Sequence, residues 1–262
     1  MNPADPIWGG FRGNYTLPDD EVHVWQTTLD MAASGFAKLQ QILSPDERER
    51  ADRFHFEVDR RRAVIGRGWL RLLLGQILNL PANELQFEYD EFEKPGLIPG
   101  QDLPLQFNVS HSGDLILIAI AIGRAVGVDV ERIRTDLDPD SIAARFFSAG
   151  ERKILASLAG PARYQAFFTC WTRKEAYLKA RGVGLSLPLD QFDVSFLPNE
   201  VPRLLATRPD PAEAGRWRLE ALDVAAGYVA ALVAPASAWK LKCWNWHPML
   251  LTDGTAGIDL IR

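Results

Sequence analysis

The chain has 262 residues, 47% of them hydrophobic and 24% charged, a globular composition with room for one large domain or two small ones. A net charge of -5 excludes a general nucleic-acid binder, and the longest apolar run, Leu115 to Ile122, is too short to span a bilayer. Cys170 and Cys243 form neither a metal-spaced pattern nor a disulfide framework, and Met1 to Asp20 is too polar for a secretory leader, so a soluble, reducing, cytoplasmic setting is expected.

Residues 1–20 read as a loose arm, tied down by Trp8 and Phe11. Glu21 to Leu29 alternates as a strand does, with Val22 and Val24 on one face. Ser44-Pro45-Asp46-Glu47 opens a helical region with a Ser cap, Pro at the first helical position and Glu three residues after the cap. That region runs to about Asn79, in one or two pieces, and ends near Pro81. Leu85 to Phe92 is strand-like, Lys94-Pro95-Gly96 is a turn, and the β-branched run Leu115 to Ile122 favours a strand over a helix.

The pattern then restarts. Val126 to Glu131 is a strand, Ser148-Ala149-Gly150-Glu151-Arg152 repeats the Ser-x-x-Glu-Arg of Ser44 to Arg48, and a helix carries Phe167 to Arg181 before a Gly182 cap. Gln191-Phe192-Asp193-Val194 echoes Gln86-Phe87-Glu88-Tyr89, and Gly227 to Ala234 closes the series as Gly113 to Ala121 closed the first. An offset of about 104 residues relates the earlier matches, with the closing strand a little further out, which points to two copies of one α+β unit. The expected fold is α+β, a pseudo-dimer of two similar subdomains, 1–124 and 125–262, with one active site in the cleft between them. At that offset Asp129, Glu131 and Glu175 correspond to Trp25, Thr27 and Arg71, so the acids belong to one copy only. The Trp-rich stretch from Trp239 onward has no counterpart in the first copy and reads as an apolar strap.

Asp129 and Glu131 lie two apart on a strand, so both side chains leave the same face. Two carboxylates beside an apolar core repel one another unless a cation intervenes, and a hard divalent ion is the simplest remedy. Glu175, one turn after Trp171 and one before Lys179 on its helix, could supply a third oxygen. Arg60-Arg61-Arg62 can turn only one or two guanidiniums to any one face of a helix. Ser110-His111-Ser112-Gly113, before a buried strand, offers groups that converge on an anion, and Lys94, Lys174 and Lys179 are further cations. Three carboxylates with Arg, His and Lys from both halves describe a metal-assisted diphosphate site. There is no Walker loop, no Gly-x-Gly-x-x-Gly, no Gly-x-Ser-x-Gly and no His-Glu-x-x-His.

These residues together resemble the Sfp-type 4′-phosphopantetheinyl transferases. The matching blocks are Phe107 to Gly113 (Phe-Asn-Val-Ser-His-Ser-Gly), Gly127 to Glu131 (Gly-Val-Asp-Val-Glu), Phe146 to Glu151 and Trp171 to Glu175 with Lys179, running on to Pro188. The resemblance covers roughly residues 45–196. It implies transfer of the phosphopantetheine arm of coenzyme A to a serine of an acyl, peptidyl or aryl carrier protein, with release of 3′,5′-ADP. By position, Asp129, Glu131 and Glu175 would hold Mg²⁺ or Mn²⁺ against the diphosphate. Lys179 and His111 would contact phosphate with Ser110 and Lys174 beside them, and Arg62, with Arg60 or Arg61, would engage the 3′-phosphate. Lys94 matches the lysine of a Gly-Lys-Pro block, although Glu93 stands here where that block has glycine. The base that takes the serine proton is Glu175, a metal-bound water or Glu151, the last of which also fits a capping box with Ser148. The segment between Arg132 and Phe147 is expected to meet the carrier, and a monomer is expected because the second half is supplied in cis. A phosphohydrolase of a nucleotide diphosphate and a non-catalytic carrier-binding scaffold are the alternatives.

Overall fold

The computed structural model describes residues 9–10, 15–92, 94–98 and 103–246. The first series of elements is β1 (Gly9–Gly10), β2 (Glu21–Thr28), α1 (Ala33–Ile42), α2 (Pro45–Asp52), α3 (Glu57–Leu78), β3 (Phe87–Tyr89), β4 (Pro95–Leu97), β5 (Leu105–Ser112) and β6 (Leu115–Ile122). The second is β7 (Gly127–Arg132), α4 (Pro139–Phe146), α5 (Ala149–Ala156), α6 (Gly160–Arg181), β8 (Phe192–Val194), β9 (Leu204–Thr207), β10 (Trp217–Leu222), β11 (Tyr228–Pro235) and β12 (Lys240–Asn245).

The repeat is legible in local chemistry. Glu47 and Glu151 each accept the backbone N–H of their cap serine, Ser44 and Ser148, at 3.0 Å. That fixes the first turns of α2 and α5, eight residues each. The same two carboxylates then anchor the long helices, since Arg71 of α3 meets Glu47 at 2.6 Å and Lys174 of α6 meets Glu151 at 2.8 Å. Arg71 also donates to Ala82 O and Leu85 O, and Lys174 to Leu189 O and Phe192 O. Both cations are buried. The counterpart of Arg71 is therefore Lys174 rather than Glu175, a correction of one residue to the alignment of the copies.

Four layers result: helix, sheet, sheet, helix. One sheet has the order β1-β12-β2-β6-β5 and the other β10-β11-β7. Strand β6 is apolar on both faces because it is covered on both. Ile116, Ile118 and Ile120 pack under α1 and α3, while Leu117, Ala119 and Ala121 pack with Val128, Val130 and Leu232 of the other sheet. On the far side of that second sheet, Ala231 and Val233 meet Ala176, Tyr177 and Ala180 of α6. The expected α+β fold of two similar halves is what the chain adopts.

The strap is a strand. β12 inserts between β1 and β2 and runs parallel to β2, with Trp244 stacked on Trp25 and Trp246 stacked on Trp69. The end of the second series thus completes the sheet of the first. Trp8, Phe11, Glu93 and residues 247–262 lie outside the described residues. No helix among the described residues is long and apolar enough to cross a membrane.

Gly127, which opens the Gly-Val-Asp-Val-Glu block, is where α6 touches the sheet backbone to backbone. A Cβ there would lie 2.1 Å from Ala176 O and 2.3 Å from Ala180 N. Gly127→Ala should cost about 3 kcal/mol or more of unfolding free energy, because helix and strand must separate. Urea denaturation checks this, and an unchanged midpoint would contradict the close contact.

Candidate active site

The two sheets meet at their edge strands, β5 and β7, and side chains replace a backbone ladder between them. Asn108 Oδ1 accepts from Val128 N at 2.9 Å, Ser110 Oγ from Val130 N at 3.3 Å and Ser112 Oγ from Arg132 N at 3.0 Å. The three accepting side chains, one amide and two hydroxyls, recur every second residue, as strand geometry requires of side chains on one face.

At this seam Asp129 and Glu131 project together from β7. Asp129 is buried, and its Oδ1 accepts from Lys179 Nζ at 2.6 Å and from Ser110 Oγ at 2.9 Å. Its Oδ2 is buried with no hydrogen-bond partner among the described residues. Burial pushes the Asp129 carboxyl above the usual carboxylate range, against the pull of Lys179. Glu131 Oε2 accepts from Ser112 Oγ at 2.7 Å, and burial raises this carboxyl as well. From α6, Glu175 and Lys179 stand one turn apart, both half-buried. Burial first, then the charge of Asp129, lifts Glu175 to about 6.

That shift has a sign. An acid whose folded pKa is raised stabilises the fold below its unfolded value and loses that contribution as pH rises, here between 4.5 and about 6. Without divalent cations, Glu175→Gln should therefore be more stable than wild type at pH 8, by up to ~2 kcal/mol, with the difference shrinking toward pH 5. Urea denaturation at both pH values reads it; a variant less stable at pH 8 would contradict the crowding of the acids.

A groove runs over the edge of β5. On the α6 side a pocket of about 260 Å³ is lined by Phe92, Lys94, Pro95, Val109, Glu175 and Lys179. On the α3 side a pocket of about 400 Å³ is lined by Arg50, Arg62, Arg67, Tyr89, Pro95 and His111, among others. Pro95 and Val109 line both, so the two form one trough between α3 and α6. His111 leaves the opposite face of β5 from Ser110. Its crowded surroundings, then the charge of Arg62, hold its pKa below the ordinary value. Arg62 donates to Gly113 O at 2.8 Å, and Lys94 Nζ to Lys179 O at 2.9 Å, where it spans the trough's end.

The site thus unites Asp129, Glu131, Glu175 and Lys179 at the seam, with His111, Arg62 and Lys94 along the trough. Two expected residues are not available to a ligand. Lys174, expected at phosphate, is fully buried and committed to Glu151 and two carbonyls. Ser110 is buried, its hydroxyl engaged by Asp129, Lys179 and Val130 N. Arg60 and Arg61 turn to Asp52 and to Leu29 O and Met31 O, leaving Arg62 as the one of the three that lines the trough. Glu151 is buried and holds Ser148 N, Val194 N and Lys174, which removes it as a base.

Among the described residues no group of three His, Cys, Asp or Glu side chains is arranged to hold a metal ion. The expected trio is not preassembled, because Asp129 Oδ1 is taken by Lys179. The donors nevertheless suit a hard divalent ion. Three oxygen-bearing acids face one bonded ammonium, and Asp129 Oδ2 is buried without a partner among the described residues.

Sequence reasoning passed over Asn108 as a seam residue and Arg67, which meets Glu47 at 3.3 Å and covers Phe87 and Tyr89. The alternation of polar side chains through Asn108, Ser110 and Ser112 was the signal for the first.

Known proteins are similar to this chain in sequence. Residues 25–122 match the family model described as 4′-phosphopantetheinyl transferase, N-terminal, and residues 125–233 match that of the 4′-phosphopantetheinyl transferase superfamily. The 4′-phosphopantetheinyl transferase HetI of Nostoc sp. is 39% identical over 236 residues, 89% of this chain and 95% of that one. The 4′-phosphopantetheinyl transferase Sfp of Bacillus subtilis is 34% identical over 160 residues, 60% of this chain and 68% of that one. The chain belongs to the Sfp-type 4′-phosphopantetheinyl transferases.

Proposed function

We propose that this enzyme moves the 4′-phosphopantetheine arm of coenzyme A onto a serine of an apo acyl, peptidyl or aryl carrier protein and releases 3′,5′-ADP. The observation that carries the reading is the trough. It joins a cationic half, lined by Arg62 and His111, to a half lined by Glu175 and Lys179, and Lys179 reaches from there to Asp129 at 2.6 Å. A nucleotide with phosphates at two positions needs positive groups spread along one groove.

In the reaction the serine oxygen bonds to the β-phosphorus, and the bond from that phosphorus to the bridging oxygen breaks. ADP leaves with the oxygen and its electron pair. Arg62 holds the 3′-phosphate, and Lys94 and His111 orient the diphosphate. Lys179 places its ammonium against the charge that grows on the departing phosphate. The serine proton leaves to a water beside the acids, since Glu175 serves there as a ligand rather than as a free base. Asp129, Glu131 and Glu175 would hold Mg²⁺ or Mn²⁺, which when bound neutralises diphosphate charge as a Lewis acid. Asp129 also keeps Lys179 in place through their 2.6 Å contact.

The carrier meets the segment from Arg132 to Phe147, which exposes Arg134 and Arg145 beside the half-buried Phe146. The enzyme works as a monomer in the cytoplasm, with both cysteines as buried free thiols. Incubation with coenzyme A, Mg²⁺ and an apo carrier tests the reading. Transfer adds the mass of one phosphopantetheine arm to the carrier. ADP release without any carrier would instead indicate a phosphohydrolase, and no product at all a binding scaffold.

A further inference from the structure

The hydroxyls of β5 do more than close the seam. Ser110 Oγ accepts from the N–H of Val130, twenty residues on, and donates to the carboxylate of Asp129, nineteen on. Ser112 repeats the relation, accepting from Arg132 N at 3.0 Å and donating to Glu131 Oε2 at 2.7 Å. Each serine therefore ties one backbone rung and one acid to the same atom. Asn108 supplies a third rung, to Val128 N, and its amide bonds no carboxylate among the described residues.

The geometry separates two jobs that usually travel together. A hydroxyl has one proton to give and two lone pairs, so Ser112 accepts from Arg132 N and donates to Glu131 at the same time. That fixes the direction of the O–H and with it the rotamer of Glu131, whose side chain is otherwise half exposed and free to turn to water. With Oε2 engaged, Oε1 is the oxygen left for a ligand.

We propose that Ser112 is a positioning residue for this reaction, holding Glu131 in the orientation in which it receives the divalent ion. The inference rests on the reading of the acids as ion ligands given above. Ser112 touches neither substrate nor reacting atoms in this role; it acts through Glu131. An outer partner of a ligating carboxylate is typically worth ten- to a hundredfold in metal affinity.

The test is calorimetric titration of Mn²⁺ into the full-length protein without coenzyme A, alongside thermal unfolding of each metal-free variant. Ser112→Ala should weaken Mn²⁺ binding about tenfold or more, and Ser112→Thr, which keeps the hydroxyl, should restore it. Asn108→Ala removes a rung without touching an acid, so it should lower Tm while leaving Mn²⁺ affinity within about twofold. Wild-type affinity in Ser112→Ala, an equal loss in Asn108→Ala, or failure of the threonine variant overturns the assignment. A folded wild type that binds no Mn²⁺, with or without coenzyme A, overturns instead the ligand reading beneath it, whereas transfer activity is read separately with the apo carrier.

Discussion

Asp129→Asn should lower kcat/KM for carrier modification by on the order of 10³-fold while leaving the fold as stable as before. Asp129 is the node of the seam, bonded to Lys179 at 2.6 Å and Ser110 at 2.9 Å, with its second oxygen buried and unsatisfied. The asparagine keeps the shape and removes the charge, so Lys179 loses its counter-ion and a divalent ion loses its most buried ligand. Stability should not fall with it. Burial already disfavours the ionised Asp129, and Lys179 remains 28% exposed and can turn to water. Activity and stability thus part company, as they do where a fold tolerates strain for the sake of a site. Steady-state labelling of an apo carrier, with urea denaturation in parallel, reads both. Activity within tenfold of wild type would contradict the role given to Asp129.

Lys174→Ala should behave in the opposite way. Its ammonium is fully buried against Glu151 at 2.8 Å, and Glu151 also holds Ser148 N and Val194 N. Removing the lysine leaves an uncompensated carboxylate in the core, at a cost of about 3–5 kcal/mol. The loss should appear in the midpoint of urea unfolding. A double variant, Lys174→Met with Glu151→Gln, should recover part of it, because the buried charge is gone and the amide oxygen can still accept a backbone N–H. If Lys174 contacted phosphate instead, Lys174→Ala would raise KM for coenzyme A and leave stability near wild type.

Much of the fold was legible in the sequence because it occurs twice. Ser44 and Ser148 start equivalent helices, and the buried ladder of Leu115 to Ile122 stands out by composition alone. Helix α1 was not legible. Its cap, Ala32, makes no side-chain hydrogen bond, and packing of Phe36 and Leu39 against the first core decides its place. The tryptophans of β12 read as a strap because their partner, β2, lies at the other end of the chain, and no local pattern reveals a parallel pairing of that kind. Within the site, the period-two spacing of Asp129 and Glu131 told which face they share. Lys174 and Lys179 could not be ranked that way, since five residues, about 140° around the helix, separate a core ion pair from the trough. Ser110 and Ser112 looked like anion ligands on an extended segment, and only the approach of β7 shows their hydroxyls turned to the acids.

The most direct test of the central claim is Mn²⁺ titration of the coenzyme A-loaded protein, wild type against the variant carrying Asp129→Asn, Glu131→Gln and Glu175→Gln. The expected result is one ion per wild-type chain and none in the variant, with coenzyme A retained by Arg62 and His111. Equal binding by both proteins, or none by a wild type that holds coenzyme A, would contradict a divalent-ion centre at the seam of the two halves.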